Sequence, residues 1–374
     1  MNCKKCNNQI SKNTKICTKC GEKTINKKKI ISISAVLISF ILGICTSLYN
    51  NFYQSEVELE LEIELAPVRI NEKYGYIDKE GNIVIEPQYD HAWEFSKGLA
   101  VVEINGKSGY IDKKGNVVIE PQYDSAFDFS EGLARVEINE KYGYIDKEGN
   151  IVIEPKYYSS DFSEGLAEIY INGKYGYIDK DGNVIIEPKY DSADSFSEGL
   201  ARVVINGKWG YIDKDGNIVI EPKYDFADSF SEGLAMVEVN GKCGYIDKEG
   251  NIVIEPQYDY ADDFSEGLAN VRINGKYGDI DGKYGYIDKE GKIVIELQYD
   301  VAEAFSEGLA RVSINGKNGY IDKEGIIVIE PQYDFAYEFS KGLARVEING
   351  KDGYIDKEGV IVIEPQDGYI GEFK

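Results

Sequence analysis

The segment GYIDKEGNIVIEPQYD at residues 75–90 returns, with small changes, down most of the chain. Its glycine falls at 75, 109, 143, 176, 210, 244, 285, 319 and 353, so the steps are 34, 34, 33, 34, 34, 41, 34 and 34 residues. A fixed period of this kind means that one small unit is built nine times and that each copy buries its apolar side against its neighbours. The step of 41 comes from an extra GKYGDID at 275–281, a near-duplicate of the seven residues after it.

Local chemistry gives the unit its shape. In the copy from Leu99, LAVVEI predicts a strand and Asn105-Gly106 a two-residue type I′ turn, since both positions tolerate positive φ. SGYID then returns beside it. KKG predicts a second turn with Gly115 in the left-handed region, and NVVIEP a third antiparallel strand ended by Pro121. The unit therefore reads as a three-stranded meander.

Pairing Ile104 with Lys107 and Asp112 with Asn116 puts Ala100, Val102, Ile104, Ile111, Val117 and Ile119 on one side, the expected core. Leu99, Tyr110, Asp112, Val118 and Glu120 fall on the other, mixed side. One such meander is marginal alone, so neighbours are expected to stack through the linker YDxAxxFSxGL, with its Tyr and Phe filling the gaps. The final DGYIGEFK leaves the linker pattern after Gln366 and reads as a closing cap. The expected fold is an all-β repeat array, an open solenoid or a ring. Propeller-like closure is the alternative, because propeller blades usually carry four strands in about 40–45 residues.

GKWGYIDKDGNIVIEPKYDFADSFSEGLAMV (207–237) resembles the WG repeat, a bacterial array named for its Trp-Gly pair, and the likeness extends over about residues 65–367. The eponymous Trp survives only as Trp209; Tyr74, Ser108, Tyr142, Tyr175, Cys243, Tyr284, Asn318 and Asp352 stand there in the other units. Glu-Pro also gives way once, at Leu297. The resemblance implies a non-catalytic β-repeat scaffold.

Ahead of the repeats the chain changes character. Residues 1–49 carry nine Lys and one Glu, or +8, so the formal net charge of −24 leaves −32 for residues 50–374. So acidic a surface repels phosphate backbones, which excludes nucleic acid as a partner of the repeats. Cys3, Cys6, Cys17 and Cys20 form C-x2-C-x10-C-x2-C, a spacing that brings four thiolates to the tetrahedral corners zinc prefers. Residues 1–26 resemble the short zinc ribbons at the N-termini of many bacterial membrane proteins. With four protein ligands the zinc is expected to be structural.

Residues 30–49 are mainly apolar and long enough to cross a hydrocarbon core of about 30 Å as one helix at about 1.5 Å per residue. Lys27, Lys28 and Lys29 precede this span and Glu56, Glu58, Glu60, Glu62 and Glu64 follow it, which predicts a cytoplasmic N-terminus and extracytoplasmic repeats. Residues 50–64 read as an acidic linker or capping strand ahead of the repeats at 65–374.

Chemistry is sparse. His91 is the sole histidine and sits in a linker, and no nucleophile elbow, phosphate loop or zinc-protease helix is present. Asp78 with Glu86, and Asp213 with Glu221, recur in every unit, which points to turns rather than to one catalytic pair. DKDGN at 179–183 and 213–217 lacks the full order of a calcium loop. Tyrosine is abundant, 29 residues, and offers stacking area with a hydroxyl. The sequence thus predicts a membrane-anchored, non-catalytic scaffold whose repeats bind a protein or cell-surface glycan. A structural spacer without a ligand is the alternative, and an enzyme using a carboxylate cluster the remote one.

Overall fold

The computed structural model describes residues 2, 5–7, 9, 19–20, 64–273, 282–366 and 368–373. The chain divides into two compact units, Met1–Ile63 and Glu64–Lys374. Within the first, Asn2 bridges Gln9 and Cys6 and Cys20 are half-buried. Cys3, Cys17, the span 30–49, the stretch 50–63 and the insertion 275–281 lie outside the described residues. Among the described residues, no helix is long and apolar enough to cross a membrane, and no group of ligating side chains is placed to hold a metal ion.

The second compact unit is all-β, an array of antiparallel sheets that repeats with the sequence. Its second unit is typical: strands His91–Ala92, Leu99–Ile104, Lys107–Asp112 and Val117–Tyr123, each paired with the next. The expected turn between Ile104 and Lys107 is present, with φ of 54° at Asn105 and 73° at Gly106. At the second turn the Asp112 carboxylate accepts from the Asn116 and Lys114 amides at 2.8 and 3.0 Å.

Six of the sheets have four strands, not three; the first unit pairs three, and the third and fourth units join in a sheet of seven. The linker holds the extra one: His91–Ala92 pairs with Glu103 and Val102, and Ser96 bridges Leu99 across a two-residue turn at Lys97-Gly98. Two residues are too few to show alternation in sequence, which is why the linker reads as a connector.

A second correction concerns the faces. Tyr110 pairs with Ile119 and Ile111 with Val117, so Val118 is an extra residue in a bulge, and Ile119 turns to the Tyr110 side. Val117 is left exposed rather than inward. A wider irregularity follows, since Ser108 pairs with Tyr123, and there the Glu120-Pro121 backbone lies over Gly109. A Cβ on Gly109 would stand 2.5 Å from the Ile119 carbonyl oxygen. The glycine of GYID is therefore demanded by close backbone approach.

Both faces of each sheet are buried, and the cores lie between units. Val101, Tyr110, Ile119 and Tyr123 of the second unit pack on Phe129, Ala134, Val136 and Ile145 of the third. Tyr110 stacks on Phe129 at 5.1 Å and donates its hydroxyl proton to the Phe127 carbonyl at 2.7 Å. Glutamates of the Ser-Glu-Gly turns clasp neighbours in the same way: Glu131 accepts from the Gly165 amide at 2.9 Å and pairs with Lys180 at 3.0 Å.

Nine apolar clusters of this kind serve nine units, whereas an open row would have eight. The ninth cluster joins the ends: Ala66, Val68 and Ile77 of the first unit meet Leu343, Tyr354 and Ile363 of the last, with Ile370 and Phe373. The Arg69 amide donates to the Tyr369 carbonyl at 2.9 Å, and the Gly371 amide to the Pro67 carbonyl at 2.7 Å. The terminal segment thus supplies the fourth strand that the first unit lacks. The array is a ring with propeller-like closure, and the open solenoid is excluded.

A candidate binding cleft between repeat units

Packing positions are nearly invariant from unit to unit; one row across each sheet is not. In the second unit that row runs His91, Glu103, Ser108, Tyr123, and in the fifth Ser192, Val204, Trp209, Tyr224. The place named for tryptophan lies on it, so its variety marks a position the fold leaves open. Two residues before Glu103, on the same face, stands Val101, whose equivalents include Arg135, Glu168, Arg202, Met236, Asn270 and Arg345.

At three of the four arginines in this position the head group fills the cleft toward the next unit, whereas Arg311 bonds Asn318 and Glu303 of its own unit. The Arg135 guanidinium lies 3.8 Å from the Phe127 ring centroid and 4.7 Å from that of Tyr142, pairs with Asp161 at 2.9 Å and donates to the Ser159 carbonyl at 2.7 Å. Arg202 lies over Trp209 and Phe226, pairs with Asp194 and Asp228, and donates to the Ala227 carbonyl. Arg345 stacks on Tyr337 at 3.9 Å and donates to the Ile370 carbonyl at 3.1 Å. Cation–π stacking, ion pairing and a carbonyl acceptor recur around the head groups of Arg135, Arg202 and Arg345.

The second unit has Val101 and Ser108 at the positions of Arg135 and Tyr142, and there a cavity of about 410 Å³ remains against the third unit. Trp93 and Phe127 contribute rings to it, and Glu94, Glu103, Asp124, Asp128 and Asp161 contribute carboxylates. Ser108 lines the cavity and is only 3% exposed, and its hydroxyl makes no hydrogen bond among the described residues. His91 stands beside the cavity, its ring 6.1 Å from Trp93. Trp93 is not singled out in sequence because it sits outside the Trp-Gly position.

The recurrent Asp–Glu pairs do not assemble a comparable site. Asp213 is committed to its turn, accepting from the Asn217 amide at 2.9 Å and its side-chain amide at 3.0 Å. Glu221 and Glu86 are exposed, and their carboxylates have no ion pair or hydrogen bond among the described residues.

In the fourth unit a glutamate replaces arginine. Burial, with a smaller contribution from Asp194, pushes the Glu168 carboxyl up to about 7, although Ser195 donates to it at 3.0 Å. Asp263 is likewise pushed up to about 6 by burial and by Asp228 and Asp262. Between its ordinary value of 4.5 and about 7, folded Glu168 keeps a proton that the unfolded chain releases. Its contribution to stability therefore falls as pH rises through that window and is lowest above it, by about 3 kcal/mol at most. Urea unfolding of residues 64–374 should show Glu168→Gln more stable than the parent at pH 8 and equal to it at pH 4. A variant equally stable at both would refute the buried-acid reading.

The family description "WG containing repeat" matches residues 74–107, 109–142, 142–175, 175–209, 209–243, 244–277, 284–317 and 319–351. No curated protein matches the chain. A solved structure described as "Crystal structure of the eukaryotic initiation factor" is similar at 11% identity and a TM-score of 0.57, covering 83% of this chain and 97% of that one. Dihydro-heme d1 dehydrogenase NirN in complex with DHE gives 11% identity and a TM-score of 0.44, with 84% and 74% covered. BamB from Moraxella catarrhalis gives 12% and 0.35, with 79% and 92% covered. At such identity the first of these is a likeness of fold alone.

Proposed function

The chain belongs to the family of WG containing repeats, and from that premise we propose that the ring is a non-catalytic binding scaffold, held at a membrane, whose clefts engage a protein or cell-surface glycan. One observation carries this reading: identical packing frames present different side chains in successive clefts. Nine similar frames with unlike linings suit distributed contact with a large partner, whereas catalysis needs one asymmetric cluster.

The same proposal places residues 30–49 across the membrane, the N-terminus in the cytoplasm and the ring outside, on the strength of Lys27–Lys29 and the acid-rich stretch beyond. Cys3, Cys6, Cys17 and Cys20 would hold one structural zinc, supported by their paired spacing and the softness of four thiolates. Metal analysis of the full-length chain checks the zinc; absence of bound zinc in reduced protein would remove it. Protease added to intact cells should trim the ring, and a protected ring would reverse the orientation.

Binding is tested with the full-length protein in liposomes titrated against solubilised cell-surface material. Tyr158→Ala, Tyr170→Ala and Phe335→Ala, which remove exposed rings from the variable rows, should each weaken saturable binding by a few-fold, and the three together by far more. Absence of saturable binding would favour a spacer. Complete loss of a measurable turnover from one substitution would favour an enzyme.

A further inference from the structure

We propose that the cleft between the second and third units takes an organic cation, a guanidinium or alkylammonium group carried by a ligand from outside the chain. The proposal deepens the binding reading above by naming the ligand chemistry of one cleft.

The ring itself displays what such a cleft accepts. In the third, fifth and ninth units an arginine head group lies over aromatic rings, and each donates to an equivalent carbonyl of the next unit, Ser159, Ala227 or Ile370. Asn270 reaches the corresponding Ala302 carbonyl at 2.8 Å. By alignment of the repeats, the second unit keeps the surroundings: Trp93 corresponds to Phe127, Asp128 to Asp161, and the Ala126 carbonyl to that of Ser159. Val101 supplies no donor and no charge. The cradle of a guanidinium is present and its arginine is missing.

Three further features agree. Five carboxylates line the cavity and no Lys or Arg does; Lys107 reaches Asp124 at 2.6 Å and Arg135 reaches Asp161 at 2.9 Å. The Glu103 carboxylate has no ion pair or hydrogen bond among the described residues. Ser108, nearly fully buried, offers an unused hydroxyl at the cavity wall. Phe127 already has Arg135 on one face, so the indole of Trp93, 42% exposed, is the ring left for an incoming cation. A volume of about 410 Å³ fits a small ligand or one long side chain.

The test is calorimetric titration of the full-length protein at low salt with agmatine and n-butylammonium, galactose serving as the neutral probe. Saturable binding of the cations at one site, weakened at least tenfold by Asp128→Asn and abolished by Val101→Arg with Ser108→Tyr, is the expected result. The double substitution installs the residues of the third unit and fills the cradle from within. Circular dichroism checks that each variant folds, and Asp128→Asn decides if the double variant does not. Unchanged cation affinity in Asp128→Asn, or no cation binding at all, overturns the proposal. Galactose binding that the double variant blocks would overturn the cation while leaving the scaffold reading intact.

Discussion

Replacing Gly210 with alanine should unfold the ring or come close to it. A Cβ there would stand 2.5 Å from the Ile220 carbonyl oxygen and 2.6 Å from the Pro222 nitrogen, and both obstacles are backbone. Neither can rotate aside as a side-chain tip could. Relief requires the bulged strand to lift away, carrying Ile220 and Tyr224 out of the core shared with the sixth unit. Overpacking costs about 1–3 kcal/mol where side chains can adjust, so a rigid clash should cost about 3 kcal/mol or more. Gly233 is the control: its φ is +86° but nothing lies within 4 Å of an added Cβ. Alanine there should cost about 1–2 kcal/mol, the penalty of the left-handed conformation alone. Urea unfolding of the two variants compares them, and equal losses would contradict the account of the GYID glycine.

Removing residues 368–374 should be at least as damaging, although it deletes a tail shorter than a quarter of one repeat. The segment buries Ile370 and Phe373, supplies the carbonyl that accepts from the Tyr354 hydroxyl, and bonds Pro67 and Arg69. Its loss uncovers Ala66, Val68 and Ile77 on one side and Leu343, Tyr354 and Ile363 on the other. Truncating a buried Ile or Phe costs about 2–5 kcal/mol each, so the total approaches the whole stability of a typical domain, about 5–15 kcal/mol. Fraying should begin at the first and ninth units, because each unit is held by its neighbours. Hydrogen exchange of the truncated chain should show early loss of protection in both, and retained protection in the first unit would contradict it.

These expectations rest on contacts that sequence reading reaches unevenly. Asn105-Gly106 and the Asp112 turn were legible because positive φ and side-chain acceptors leave local signatures. The rows of Ala100, Val102 and Ile111 were legible because alternation is local too. Ile119 departs from the face that alternation predicts because a bulge breaks the count without marking it in composition. The strand at His91–Ala92 is too short to leave an alternating pattern in the sequence. Closure was out of reach for a different reason: Lys79 donates to the Lys341 carbonyl across 262 positions, and nothing near either residue announces the other.

The cleft was half legible. Loss of tryptophan at Ser108 was visible, but its meaning depends on Val101 across the sheet and on Asp128 in the next unit. Only the assembled ring brings those three together. Cys3 and Cys17 lie outside the described residues, so the proposed zinc site rests on spacing.

Ring closure underlies everything else, and a disulfide tests it most directly. Val68 and Ile370 face each other as an antiparallel pair whose flanking bonds run from Gly371 to Pro67 and from Arg69 to Tyr369. Such a pair sits about 4.5 Å apart at Cα, within the range a disulfide spans. Val68→Cys with Ile370→Cys should form an intramolecular bond under mild oxidation, read by mass mapping of the linked peptides in monomeric protein. Cysteines that stay reduced, or that link only separate chains, would show that the first and last units do not meet.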